Sequence, residues 1–269
     1  MSEPVDDPAR QLQNRLDIAL ATNFDLALVF LPAADIALYV AEGRVDLGIT
    51  GRDMVQESNV DVQELLQLGF GKCKLCVQAP IKSNIKNPKD LCGKRIVTSF
   101  PTLAAKYFKE LDPTKTTSIH YVSGSVEAAC ALGLADGIVD LVETGDTMRA
   151  AGLEVVSEIM TTEALLVANP HTAHKELVDT FRKRIAGALT AERHVMIEYN
   201  VERARLAEAV KITPGKKSPT LSPLDDANWV AVKCLILLSE SNTKMDQLEK
   251  IGARDILIYN IHNCRVSNE

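Results

Sequence analysis

Residues 133–153 read GLADGIVDLVETGDTMRAAGL, and the character of the chain changes halfway along. Residues 138–142 (IVDLV) are apolar enough for a buried strand, Glu143-Thr144-Gly145-Asp146-Thr147 is too polar for a core, and residues 148–153 read as a helical turn. A strand that gives way to glycine, hydroxyls and open amides at the mouth of a helix favours a phosphate, through free N–H groups and the positive end of the helix dipole. Asp140 and Glu143 come just before it. Carboxylates beside a phosphate are unfavourable unless they bind something else, and sugar hydroxyls or a magnesium ion would account for them. The combination points to a phosphorylated ribose; alone, it reads equally as a capped helix after a core strand.

Working outward, βα units recur. Residues 26–31 (LALVFL) and 45–49 (VDLGI) are short apolar strands flanking a helix that Gly43 ends, and the second stops at the polar turn Thr50-Gly51-Arg52-Asp53. Further strands are expected at 74–79, 94–99, 118–122, 138–142 and 164–168, with helices at 102–111, 126–134 and, at length, 174–196. Such alternation predicts an α/β fold with a mainly parallel sheet and ligands at the carboxyl ends of the strands. Beyond Tyr199 the pattern shifts to short elements: a helix at 204–210, then a strand that opens at Lys211 and enters a Pro- and Gly-punctuated loop through 220, with strands at 229–236 and 255–261 and a helix at 243–251. This is a βαββαβ, ferredoxin-like module.

Composition narrows the function. The 269 residues are 46% hydrophobic and 25% charged, with a formal charge of −6 and a pI of about 5.5, so phosphate-neutralising binding to nucleic acid is disfavoured. No apolar run reaches the length of a membrane span. The start, MSEPVDDPARQLQN, has no apolar core of a signal peptide, and six cysteines without a framework suit a reducing compartment; a cytoplasmic location is expected. Cys73-Lys-Leu-Cys76 is formally C-x-x-C and His171 and His174 lie three apart, but a structural zinc site wants two such pairs. The cysteine spacing on a strand also puts the two sulfurs on opposite faces.

Several blocks in one order carry a resemblance: FLPAADIALYV, GRVDLGITGRD, LGFGKCKL, GKRIVTSFPTLAAKYF, VSGSVEAACALGLADGIVDLVETGDTMRAAGL, ITPGKKSPTLSPL and LEKIGARDILIYNIHNCRV. Together, over residues 15–266, they resemble the long, fungal-type form of ATP phosphoribosyltransferase, the first enzyme of histidine biosynthesis. The resemblance implies a glycosyltransferase that joins N1 of ATP adenine to C1 of phosphoribosyl pyrophosphate, releasing pyrophosphate carried by Mg²⁺. It also implies feedback inhibition by histidine and a homohexamer. The implied fold is two α/β lobes like those of periplasmic binding proteins, 1–76 with 162–196 and 77–161, followed by a regulatory domain at 197–269.

By the same resemblance Thr144, Gly145, Asp146 and Thr147 hold the 5-phosphate, and Asp140, Glu143 and Glu127 face the ribose or metal. Glu127 also reads as a helix-start glutamate. Thr50, Gly51 and Asp53 line the opposing wall near the nucleotide, where an ordinary helix cap is the alternative. Lys72 and Lys74 are set to meet triphosphate or pyrophosphate, against a reading as solvated surface lysines. Thr220, Leu221, Ser222, Pro223 and Leu224 are carried over as the histidine site, or as a plain turn between strands.

One departure stands out. The family opens with a strand and a basic turn ahead of the segment matching residues 15–20, and residues 1–14 here contain neither. That strand lies inside the sheet of the first lobe, so the expectation is unpaired backbone on two neighbouring strands and weak activity. It keeps a second reading open, a histidine- or nucleotide-binding regulatory subunit without catalysis.

Overall fold

The computed structural model of the chain describes residues 18–22 and 24–265. The expectation about residues 1–14 lies outside the described residues. The chain forms two compact units, Met1–His174 and Lys175–Glu269.

In chain order the first unit runs β1 (Ile18–Leu20), β2 (Ala27–Val29), α1 (Ala33–Ala41), β3 (Leu47–Gly51), α2 (Arg52–Ser58), β4 (Gln63–Gln67), β5 (Cys73–Pro80), β6 (Arg95–Thr98), α3 (Pro101–Leu111), β7 (Ser118–Tyr121), α4 (Ala128–Ala131), β8 (Gly137–Val142), α5 (Asp146–Ala150), β9 (Leu153–Thr162) and β10 (Ala164–Ala168). Among the described residues these strands make three sheets: β1-β2, β3-β10-β4 and β7-β6-β8-β5-β9. Strand β10 reads ALLVA and is buried from Leu165 on, which suits a central strand. Helix α1 closes over it through Ala37 and Val40.

The larger sheet has a core on each face. Leu75, Ile96, Phe108 and Val139 pack with α3 in one, and Val97, Val126 and Ile138 with α4 in the other. The chain crosses between the two lobes at residues 68–72 and again at Glu163.

A mainly parallel sheet is only partly realised. Parallel pairing is confined to β7-β6-β8, while β5 is antiparallel to β8 and to β9, and β10 is antiparallel to both its neighbours. The strands on either side of a crossing run against their neighbours because they carry the chain from one lobe to the other. This geometry aligns several strand ends. The carboxyl ends of β6, β7, β8 and β9 share one edge of the sheet, and the opposite sense of β5 brings its first residue, Cys73, paired with Thr162, to that same edge.

The second unit runs α6 (Lys175–Arg193), β11 (His194–Glu202), α7 (Leu206–Ile212), β12 (Thr220–Pro223), β13 (Trp229–Leu237), α8 (Ser241–Lys250) and β14 (Arg254–Asn260). The sheet order β12-β13-β11-β14, antiparallel throughout, is the ferredoxin-like arrangement of a βαββαβ chain. Two boundaries differ from expectation. The long helix stops at Arg193, because Val195, Ile197, Tyr199 and Val201 are buried at every second position, the period of a strand and not of a helix. Lys211 and Ile212, expected to open a strand, are the last turn of α7.

The long helix, expected to return to the first lobe, groups with the second unit. Its Gly187 and Arg184 carbonyls accept hydrogen bonds from the Cys264 amide (3.0 Å) and the Asn263 side chain (3.3 Å). Among the described residues no helix is long and apolar enough to cross a membrane.

Candidate active site

The turn after β8 is built around Gly145, which adopts φ 79° and begins α5. An L side chain there is strained, so glycine is what lets a strand pass directly into a helix at this point. Thr144 donates from Oγ1 to Asp146 Oδ2 at 2.7 Å, and the Asp146 amide points back to that oxygen at 3.4 Å. Arg149 reaches across the turn from Nη2, donating to the Thr144 carbonyl at 2.9 Å and to Asp146 Oδ1 at 2.7 Å. Those two partners hold the Asp146 carboxyl below the usual carboxylate range, Thr144 contributing most. Thr144 and Thr147 are both exposed, so neither hydroxyl is packed into protein. The first-turn amides of Thr147 and Met148 have no i−4 carbonyl to bond, as at any helix start.

Asp140 sits on β8 just below this turn and is half-buried, donated to by the Leu141 amide at 2.8 Å. Burial raises its pKa most, the Leu141 amide opposes that, and the negative charge of Glu127 adds to the rise. Glu127 itself is half-buried at the start of α4, behind a loop in which Ser125 takes φ 51°. The two residues therefore feel each other across the carboxyl ends of β7 and β8. Glu143 is exposed. Its charge, together with that of Asp53 from the other lobe, raises the pKa of the Cys73 thiol beyond what burial does. Cys76 is buried, and burial pushes its thiol to about 11.

On the opposing side, Thr50 and Asp53 are 5% exposed and their polar atoms are engaged by the protein. Thr50 donates to the Ala33 carbonyl at 2.9 Å. Asp53 accepts from the Thr162 hydroxyl at 2.6 Å, while its own amide donates to the same oxygen at 3.0 Å. A Cβ at Gly51 would collide with the Asp53 carboxylate, which explains glycine at that position. Lys72 is exposed and has no ion pair among the described residues, whereas Lys74 is bound to Glu158 at 2.6 Å. Among the described residues no group of three or more His, Cys, Asp or Glu side chains is arranged to hold a metal ion.

The structure thus brings Asp140, Glu143, Thr144, Gly145, Asp146 and Thr147 to one edge with Glu127, Lys72 and Lys74. Thr220, Leu221, Ser222 and Pro223 lie elsewhere, on the exposed edge strand β12 of the second unit, with Leu224 following. Two residues that brace this region escaped the sequence reading. Arg149 could have been found from its i,i+3 spacing to Asp146. Thr162 could not, since 109 residues separate it from Asp53.

Comparison with known proteins gives the family. A family model described as ATP phosphoribosyltransferase matches residues 32–187, and one described as HisG, C-terminal domain, matches residues 191–263. The ATP phosphoribosyltransferase of Yarrowia lipolytica is 54% identical over 94% of this chain and 87% of its own length. That of Saccharomyces cerevisiae is 51% identical over 94% and 86%. A solved ATP phosphoribosyl transferase (HisG:HisZ) complex from Thermotoga maritima includes a chain with a TM-score of 0.52 and 26% identity, covering 58% of this chain and 74% of that one. Matched by both family models and about half identical to curated enzymes over nearly its whole length, the chain belongs to the ATP phosphoribosyltransferase family.

Proposed function

We propose that the turn 143–147 grips the 5-phosphate of phosphoribosyl pyrophosphate, with the Thr147 hydroxyl, the amides of Gly145, Asp146 and Thr147, and the Thr144 hydroxyl once it turns from Asp146 as donors. The family's reaction forms a bond between N1 of the ATP adenine and C1 of the ribose as the bond from C1 to pyrophosphate breaks. Positive charge develops on the ribose and negative charge on the leaving group, so fixed groups of the right sign lower the barrier. Glu127, Asp140 and Glu143 are assigned to the ribose. Raised pKa and half-burial suit Asp140 to hydrogen bonding with ribose hydroxyls in a partly dry setting.

Lys72 is assigned to the pyrophosphate or triphosphate. Lys74 can join it, because an exposed pair such as that with Glu158 is weak enough to exchange. Thr50, Gly51 and Asp53 form the nucleotide-side wall and contribute shape, their side-chain polar atoms being taken up internally. The family's reaction uses a divalent cation. We take it to be Mg²⁺ brought in on the pyrophosphate, with Asp140 and Glu143 as the carboxylates that fit it; when bound it supplies charge neutralisation on the leaving group.

In the second unit, β12 leaves one edge unpaired and residues 220–223 exposed, which supports residues 220–224 as the site for histidine as a feedback inhibitor. A homohexamer in the cytosol completes the reading.

The observation that carries it is the open turn at 143–147 beside Asp140 and Glu127. The test is incubation with ATP, phosphoribosyl pyrophosphate and Mg²⁺, following the ultraviolet absorbance of the adduct, for the unaltered chain and for Thr144→Val with Thr147→Val. Adduct formation that weakens sharply in the double variant supports the assignment. Equal turnover in both would remove it.

A further inference from the structure

Helix α3 begins without a cap of its own: Phe100 precedes it and offers no side-chain acceptor. Its first-turn amides are nonetheless satisfied from the other lobe. Glu57, near the end of α2, accepts from the Thr102 amide through Oε1 at 2.8 Å and from the Leu103 amide through Oε2 at 2.9 Å. A carboxylate over two N–H groups at a helix start combines charge-assisted bonding with a favourable dipole. One turn earlier, Met54 packs against the core of the second lobe. At the other end of α2 the Arg52 and Asp53 amides are tied to the Glu163 carbonyl (3.1 Å) and the Thr162 hydroxyl (3.0 Å), at the crossing itself. An element of the first lobe is therefore fastened to the second along its whole length. Helix α3 follows β6, so its start lies at the strand edge that also bears the 143–147 turn.

We propose that Glu57 is a positioning residue: by bridging α2 to the start of α3 it sets the separation between the wall at Thr50–Asp53 and the turn at 143–147, and so the affinity for the phosphorylated sugar. This rests on the proposed site for phosphoribosyl pyrophosphate. Glu57 does not touch substrate. It acts through the distance between two surfaces that do.

The test compares the unaltered enzyme with Glu57→Ala and Glu57→Gln in steady-state adduct formation. Glu57→Ala should raise KM for phosphoribosyl pyrophosphate by about tenfold, in keeping with loss of two charge-assisted bonds partly replaced by water. The kcat should stay within about twofold. Glu57→Gln, which keeps one acceptor, should fall between. Added formate should lower the KM of Glu57→Ala alone and raise its melting temperature, by refilling the helix start.

An unchanged KM, or a raised one that formate leaves untouched, overturns the proposal. So does a lowered KM, which would mean the carboxylate merely stands in for a substrate anion at α3. If Glu57→Ala does not fold, the KM of Glu57→Gln decides. Absence of turnover in the unaltered enzyme would count against the proposed site, whereas the formate-dependent melting shift tests the bridge without any activity.

Discussion

Replacing Gly145 by alanine probes the phosphate turn at its most constrained point. At φ 79° an L residue costs about 1–2 kcal/mol. The new Cβ would also stand 2.8 Å from Arg149 Nη1, so the guanidinium must swing away. That forfeits its bond to the Thr144 carbonyl, about 0.5–1.5 kcal/mol. The pair with Asp146 is exposed on both sides and solvent-screened, so it adds little. Strain and the lost carbonyl bond together come to about 1.5–3.5 kcal/mol, borne by the turn because no buried side chain is disturbed. If that strain is relieved in the free enzyme by a different turn geometry, kcat/KM for phosphoribosyl pyrophosphate should fall by about 10- to 400-fold.

The assay is adduct absorbance across sugar concentrations, with calorimetry in parallel. Gly152→Ala is the matched control: it has φ 70° and nothing within 4 Å of a Cβ, and lies past the end of the same helix. It should show a similar loss of melting temperature with little change in kcat/KM. A Gly145→Ala enzyme within about threefold of the unaltered kcat/KM would refute the reasoning.

Two further outcomes follow from buried polar groups. Asp140 has a pKa raised in the folded chain, so its ionisation opposes folding: the penalty is absent below the ordinary carboxylate range, grows as pH rises towards the raised value, and is complete above it. Asp140→Asn should therefore raise the melting temperature at neutral pH and lose that gain in acid, while turnover falls; melting curves across pH that show no such dependence would contradict it. Thr162→Val removes the only hydroxyl shown bonding to the Asp53 carboxylate and amide, leaving a buried charge short of a donor. Denaturant unfolding should register a loss of about 2–3 kcal/mol, and unchanged stability would show that Asp53 finds another partner.

The local geometry of the proposed site was legible in the sequence because its residues are close together in the chain. Asp140, Glu143, Thr144, Gly145, Asp146 and Thr147 fall within one βα turn, where strand apolarity, glycine and hydroxyls follow in an order that local geometry converts directly into a binding turn. The strands at β4, β9 and β11 were missed for a different reason. Strand β9 reads LEVVSEIMTT and is mostly half-buried, so its apolar signal is diluted. Strand β11 continues without a break from the long helix, so the alternation of Val195, Ile197, Tyr199 and Val201 begins with no turn residue to mark the change of period.

What the sequence by itself determined was therefore the local chemistry and the α/β class: short apolar strands, the polar strand-to-helix turn proposed for the phosphate, and the family blocks that place the chain among ATP phosphoribosyltransferases. Tertiary structure alone decided which edges coincide. The antiparallel pairing of β5 with β8 and β9 puts Cys73 and Thr162 beside the ends of β6 and β8, seals Asp53 against Thr162, and lets Glu57 cap a helix of the other lobe. These partners lie 45 to 109 residues apart in the chain. No local pattern can encode such a pairing, because it is fixed by how whole sheets bury their apolar faces.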